Sequence, residues 1–268
     1  MPTRSLLAIG VLFLAACTAT ESGSRTPGTP LPSASPSAAI SPSTVASASA
    51  AASGTPTCVS SSDGPEVLCR LEAGTYRTVD FQPQLTYTVP SAGWGSLNRA
   101  AAPGNFHLFP PGALLSGFDQ GTADDITVLT AVVAPGTCTG LPSATVAQTF
   151  DGLLQFLTTD PHVVVTNRHD ASVGGWSGTV MDVAIADGDG CPDGVYADLM
   201  VGVSPSHGAF GTTPSLSSTR VYLLHNPGAD TAFAILIDDA KNGGSDYGDG
   251  EDWFAPAQSV VDSFVIGP

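Results

Sequence analysis

Residues 18–56 cannot contribute to a folded core, and this limits the fold more than any other feature of the chain. They are almost entirely Ser, Thr, Ala, Pro and Gly, with Leu31, Ile40 and Val45 as the only larger apolar side chains. Such a stretch cannot bury enough apolar surface to offset its conformational entropy, so it is expected to be disordered. Its 39 residues form a tether with an end-to-end distance of about 35 Å, longer where prolines stiffen it. The composition also permits O-glycosylation. Whatever folds must lie in 57–268, about 212 residues, which suits one domain with a sizeable core.

Ahead of the tether, Arg4 precedes an apolar run from Leu6 to Ala16 that is too short to span a bilayer. A basic start, a short greasy core and small residues before a cleavage point mark a secretory signal. Leu14-Ala15-Ala16-Cys17 resembles the lipobox of bacterial lipoproteins. That resemblance implies cleavage before Cys17, a diacylglyceryl thioether on its sulfur and an acyl group such as palmitate on the new N-terminus. Two or three chains, at about 0.8 kcal/mol per buried CH₂, hold a protein stably on a membrane. An ordinary cleaved signal with an incidental cysteine is the alternative. The expected organisation is a signal peptide at 1–16, a lipidated cysteine and linker at 17–56, and a single globular domain at 57–268. The expected location is the extracytoplasmic face of the cell membrane.

Loss of Arg4 with the leader leaves 7 basic residues against 24 acidic ones, a formal charge of −17. A field of that sign repels nucleic acid and anionic lipid, so nucleic-acid binding is not expected. Cations, neutral ligands and basic partners remain, as does plain solubility of an exported protein. With Cys17 lipidated, Cys58, Cys69, Cys138 and Cys191 remain, an even number that suggests two disulfides in an exported domain. Three connectivities are open. Cys58–Cys69 and Cys138–Cys191 are favoured, contributing roughly 3 and 4 kcal/mol by loop closure. None has CxxC spacing, so neither a zinc nor a redox site is indicated.

Within the domain, Gly74–Phe81, Leu85–Val89, Asn105–Phe109 and Asp125–Val133 read as strands closed by proline and glycine. Phe150, Leu153, Leu154 and Leu157 make one helical stripe that Asp160-Pro161 stops. His162–Asn167, Ser172-Val173 and Trp176–Ile185 follow as strands, the last two joined at a tight Gly174-Gly175 turn. Val195–Val203, Ser218–His225 and Thr231–Ile237 continue the series. Ala257, Val260, Val261 and Phe264 make a second helical stripe, with Pro256 marking its first turn. The pattern predicts an α+β fold, an antiparallel sheet with two amphipathic helices packed on it.

Leu71-Glu72-Ala73-Gly74-Thr75-Tyr76, Phe81–Val89, and Ser172-Val173-Gly174-Gly175-Trp176-Ser177-Gly178-Thr179 with Asp182-Val183 resemble exported bacterial lipoproteins of unassigned function. The Arg220–Leu224 strand and the closing helix fit the same outline. A helix, a meander of strands and a C-terminal helix on the sheet is similar to the Mog1/PsbP-like fold. The resemblance implies a partner-binding module and carries no functional residue with it.

The loop Ile237–Trp253 holds Asp238, Asp239, Asp246, Asp249, Glu251 and Asp252 among four glycines. Carboxylates on a flexible backbone are what Ca²⁺ needs, although the spacing is not that of an EF-hand. Asp246, Asp249, Glu251 and Asp252 are candidate ligands, with Asp187 and Asp189 as a second group in an Asp/Gly turn. Solvated turns and a helix start account for both equally well. Asn167-Arg168-His169-Asp170 invites a catalytic reading, but lying between two short strands it is expected to be a connecting turn. A kinase loop is excluded, since its glycine-rich loop and metal motif are missing. His107, His162, His207 and His225 are scattered, and no serine occupies a nucleophile elbow. Trp253 and Phe254, beside the acidic loop, are the candidate ligand contacts. The expected function is a non-catalytic domain, held at the membrane, that binds a ligand or partner such as an envelope protein or wall component. A calcium-dependent module and an envelope hydrolase are the alternatives.

Overall fold

Side-chain alternation along the strands gives one sheet two apolar faces, and each face carries a helix. In order these are β1 (Thr57–Ser60), β2 (Glu66–Leu71), β3 (Gly74–Arg77), β4 (Leu85–Val89), β5 (Trp94–Arg99), β6 (Asn105–Phe109), β7 (Asp125–Val133) and α1 (Phe150–Thr159). Then come β8 (Val163–Val173), β9 (Trp176–Ile185), β10 (Met200–Ser204), β11 (Gly208–Thr212), β12 (Ser218–His225), β13 (Ala232–Asp239), α2 (Glu251–Asp262) and β14 (Val265–Ile266). This computed structural model describes residues 57–60, 66–99, 104–113, 124–134, 145–161, 163–185, 200–204, 208–212, 218–239, 246 and 251–267. The expectations for the leader, Cys17, the linker, Cys138, Cys191, Asp187, Asp189 and Asp249 lie outside the described residues.

Among the described residues the main sheet runs β1-β2-β5-β6-β7-β13-β12-β9-β8, with β10 and β11 attached at the far end of β7. Its pairings are antiparallel. A smaller sheet, β14-β4-β3, packs into the same core. The α+β class expected from the sequence is therefore present.

Odd positions of β12 (Val221, Leu223) and of β9 (Met181, Val183) pack with Leu153 and Leu157 of α1. Even positions (Val180, Tyr222, Leu224) pack with Trp253, Ala257, Val260 and Val261 of α2. Each fully buried aliphatic side chain of this kind contributes roughly 1.5–3 kcal/mol. Thr149 caps α1 by accepting from the Gly152 amide, and Asp160 ends it before Pro161, as the sequence pattern implies. The β8–β9 turn is Gly174-Gly175, with φ of 59° and 86°, the left-handed pair a two-residue hairpin demands.

Two expectations are corrected. Pro256 does not mark the first turn of the last helix, because α2 begins at Glu251 and holds the proline inside it. Burial of Trp253 and Phe254, at 0% and 5% exposure, extends the helix backwards past the proline. Residues 167–170 are not a turn between two strands either. They lie within the single strand β8, where an extra residue bulges out between Thr166 and His169.

Candidate functional site

The register of β9 and β12 places Arg220 directly opposite Asp182, and Tyr222 opposite Val180. These residues share the α2 face of the sheet, at the side where β8 is the edge strand. On β8, Thr166 faces Asp182 and His169 faces Val180, so three steps on one strand match two on the other. Asn167 absorbs the surplus with φ of 53°, a left-handed conformation that asparagine tolerates better than most residues.

A fixed polar network results. Arg220 Nε donates to Asp182 Oδ1 at 2.7 Å, and its Nη2 to Oδ2 at 3.3 Å. Asn167 Nδ2 donates to the same Oδ2 at 2.7 Å, tying the bulge to the ion pair. The Arg220 guanidinium lies over the Phe254 ring of α2, 4.7 Å from its centroid. Tyr222 donates its hydroxyl to Gln258 Oε1, and Gln258 Nε2 donates to Asp262 at 2.7 Å. Desolvation works to raise the Asp182 carboxyl, but the hydrogen bonds from Arg220 and Asn167 outweigh it and hold the group below its ordinary value. Desolvation raises the Tyr222 phenol, so it stays a neutral donor. Around this network opens a concavity of about 470 Å³, lined by Asn167, Arg168, His169, Asp182, Tyr222 and Gln258 among others.

A second polar cluster lies on the opposite face of the sheet. His107 Nδ1 and Asp125 Oδ2 are 2.8 Å apart, and Thr127 Oγ1 bonds to both. Asp238 stands opposite Asp125 in the β7–β13 register and accepts from Thr219 Oγ1 at 2.6 Å. Burial first, and the neighbouring Asp125 second, push the Asp238 carboxyl well up. Like charges this close cannot both ionise cheaply, so the buried Asp238 favours its neutral form. A histidine beside an aspartate is half of a hydrolytic triad in outline. At 3% and 5% exposure, however, this pair is closed to a substrate from solvent.

The residues singled out from the sequence are scattered by the fold. Asp238 and Asp239 belong to β13 and not to a loop, and Asp239 is buried. Asp246 is exposed, with its amide bonded to Pro111 O at 2.8 Å. Glu251 and Asp252 form the first turn of α2, and Asp252 is exposed. Among the described residues no three His, Cys, Asp or Glu side chains are grouped to hold a metal ion. The ligand-contact expectation for Trp253 and Phe254 is corrected. Trp253 is wholly buried against Trp94 and donates its indole N–H to Asp238 O at 2.9 Å, while Phe254 is the floor beneath Arg220. Cys69 is disulfide-bonded, and Cys58 is the residue directly opposite it on β1. His225 is exposed and stacks on Phe150, away from the concavity.

Asp182, Arg220 and Gln258 were not picked out as site residues in the sequence. The available signal was an acid and a base, each set in a strand between two immediate neighbours that are buried. No protein-family model matches the chain, and no curated protein or solved structure matches it either.

Proposed function

We propose that this is a lipid-anchored, extracytoplasmic binding domain of Mog1/PsbP-like organisation, and that the concavity between β8, β9, β12 and α2 is its ligand site. The observation that carries the reading is the preset geometry of that concavity. Asp182 fixes both Arg220 and Asn167, Phe254 supports Arg220, and Gln258 holds Tyr222, so the polar lining is ordered before any ligand arrives. Pre-organisation of this kind lowers the ordering cost of binding. Its volume of about 470 Å³ falls in the usual range for small-molecule sites. The lining favours binding over hydrolysis. Among the described residues it contains no serine or cysteine, and His169 spends Nδ1 on Asn167 O at 2.7 Å, where a general base would need a carboxylate.

Two measurements test this reading. Cys17→Ser should release the chain from the membrane and abolish lipid-modified mass at residue 17; continued membrane attachment overturns the anchor. Solubilised wall fragments titrated into the full chain in detergent should shift the amide resonances of residues 167–169, 220 and 222. If every envelope fraction leaves those resonances unmoved, the concavity is not the site.

A further inference from the structure

We infer that the concavity selects a ligand bearing an anionic group, a carboxylate or phosphate, on a hydroxyl-rich scaffold, with Arg168 and His169 as the recognising residues. This deepens the binding-domain reading above and rests on it.

The first support is where the chain spends its cations. The whole sequence holds 8 Lys and Arg residues against 24 acids, yet two of those eight, Arg168 and Arg220, line this one concavity. The second is how the charges inside it balance. Among the described residues Asp182 supplies the one carboxylate of the lining, and both its oxygens are hydrogen-bonded, Oδ1 to Arg220 Nε and Oδ2 to Arg220 Nη2 and Asn167 Nδ2. It is therefore spent on Arg220 and offers nothing to a cationic ligand. Arg168 is exposed at the bulge and makes no ion pair among the described residues. Its guanidinium is thus an uncompensated charge facing the concavity, with the planar fork that matches a carboxylate or phosphate edge.

The third support is the set of hydrogen-bonding groups beside it. Because the Asn167 carbonyl can only accept, His169 must donate from Nδ1, and Nε2 is the nitrogen left for a ligand. With Nδ1 as the donor, Nε2 accepts from a ligand hydroxyl. The Tyr222 hydroxyl gives its proton to Gln258 and keeps oxygen lone pairs that accept from a ligand hydroxyl. Asn167 keeps its amide oxygen for the same use. An anion held at Arg168, with ligand hydroxyls donating to His169 Nε2, Tyr222 and Asn167, uses every one of these groups. The bulge is what makes this possible, since in a regular strand successive side chains point to opposite faces, and Arg168 and His169 could not both line one concavity.

Such an anionic group is carried equally by a small free acid and by a charged wall polymer, and the probes separate these sources. The full chain in detergent would be titrated with glucuronate, glycerol 3-phosphate and inorganic phosphate. Glucose and glycerol serve as neutral controls, and a solubilised anionic wall polymer is the third arm. The expected result is that the anionic polyols shift residues 167–169, that the neutral controls do not, and that Arg168→Ala weakens binding at least tenfold. Arg168→Lys, which keeps the charge and loses the fork, should fall between. Arg77→Ala, an exposed arginine elsewhere, should change nothing. Saturation by the small acids alone identifies a soluble ligand, and tighter binding of the polymer identifies a wall component; both support the inference. Neutral sugars binding as well as the acids, or an Arg168→Ala variant that binds them undiminished, overturns the anion while leaving the concavity a binding site. Silence of residues 167–169 to every probe and every wall fraction overturns both readings.

Discussion

The Asp182–Arg220 pair is the hinge of this site, and its energetic weight can be worked out from its surroundings. The two side chains are 16% and 20% exposed, between a surface ion pair and a buried one. Exposed pairs contribute about 0.2–1 kcal/mol, whereas breaking a buried pair costs about 3–5. The Phe254 face beneath the guanidinium adds about 0.5–1 kcal/mol. We therefore expect Asp182→Ala and Arg220→Ala each to cost about 2 kcal/mol, which for a domain of this size lowers the unfolding midpoint by roughly 4–8 °C. The double variant should cost about 1–2 kcal/mol less than the sum, measured by urea unfolding in a double-mutant cycle. The acid dependence has a fixed sign. Asp182 is held below its ordinary 3.8, so the stability it supplies is fully present above that value and is lost as pH falls through the lower folded value. The coupling should persist at pH 7 and vanish well below pH 3.8. Strict additivity at neutral pH, within about 0.3 kcal/mol, would mean that the pair organises nothing and that the concavity is not pre-ordered.

The opposite sign holds at Asp238. Its folded value is raised above 3.8, so the stability tied to its proton is complete below that pH and is lost as pH rises through the folded value. Asp238→Asn should therefore stabilise the chain more at pH 8 than at pH 4 by urea midpoint, and an equal effect at both would refute the raised carboxyl. A Cβ on Gly178 would stand 2.0 Å from Leu223 O, so Gly178→Ala should abolish folding by circular dichroism. By contrast, Gly175 has open space around it and only its φ of 86° to satisfy, so Gly175→Asn should cost no more than about 1 kcal/mol. If Cys58 is the partner of Cys69, Cys58→Ser and Cys69→Ser should each cost about 3 kcal/mol and the double variant no more than either alone, read by denaturation without reductant. Additive costs, or a Cys58→Ser chain with no free thiol at Cys69, would break the pairing.

Four strands bounded by strong punctuation were legible in the sequence to the residue. Asn105–Phe109 stops at Pro110-Pro111, Asp125–Val133 runs to Pro135-Gly136, and Trp176–Ile185 follows Gly174-Gly175. Ser218–His225 ends at Asn226-Pro227-Gly228 in the same way. β5 and β11 were not legible. Gly95, Ser96 and Asn98 in one, and Gly208 and Gly211 in the other, carry little strand propensity, so neighbouring strands decide their conformation. The candidate site was hidden for a related reason. Asp182 and Arg220 are 38 residues apart and meet only through the β9–β12 register, which local pattern does not encode. Asn167-Arg168-His169 did stand out in the sequence, as a turn. A bulge is defined by the residue count of the partner strand, and a single stretch of sequence cannot supply that number.

The start of α2 shows how the same long-range contacts build both fold and site. A helix beginning at Pro256 would satisfy every local rule, since proline is tolerated in a first turn and costs about 3 kcal/mol further in. The chain instead starts the helix at Glu251, so Pro256 leaves the carbonyl four residues earlier without its usual donor. What offsets that cost is apolar. Trp253 is buried against Trp94, and its indole caps the Asp238 carbonyl at the end of β13. Phe254 goes under in the next position at 5% exposure. Burial of two aromatic side chains outweighs a single proline penalty. The extra turn is also what puts Phe254 beneath Arg220 in the same helix that brings Gln258 to Tyr222. The tertiary contacts that override the proline signal thus supply the ring that supports Arg220 and the Gln258 wall of the concavity.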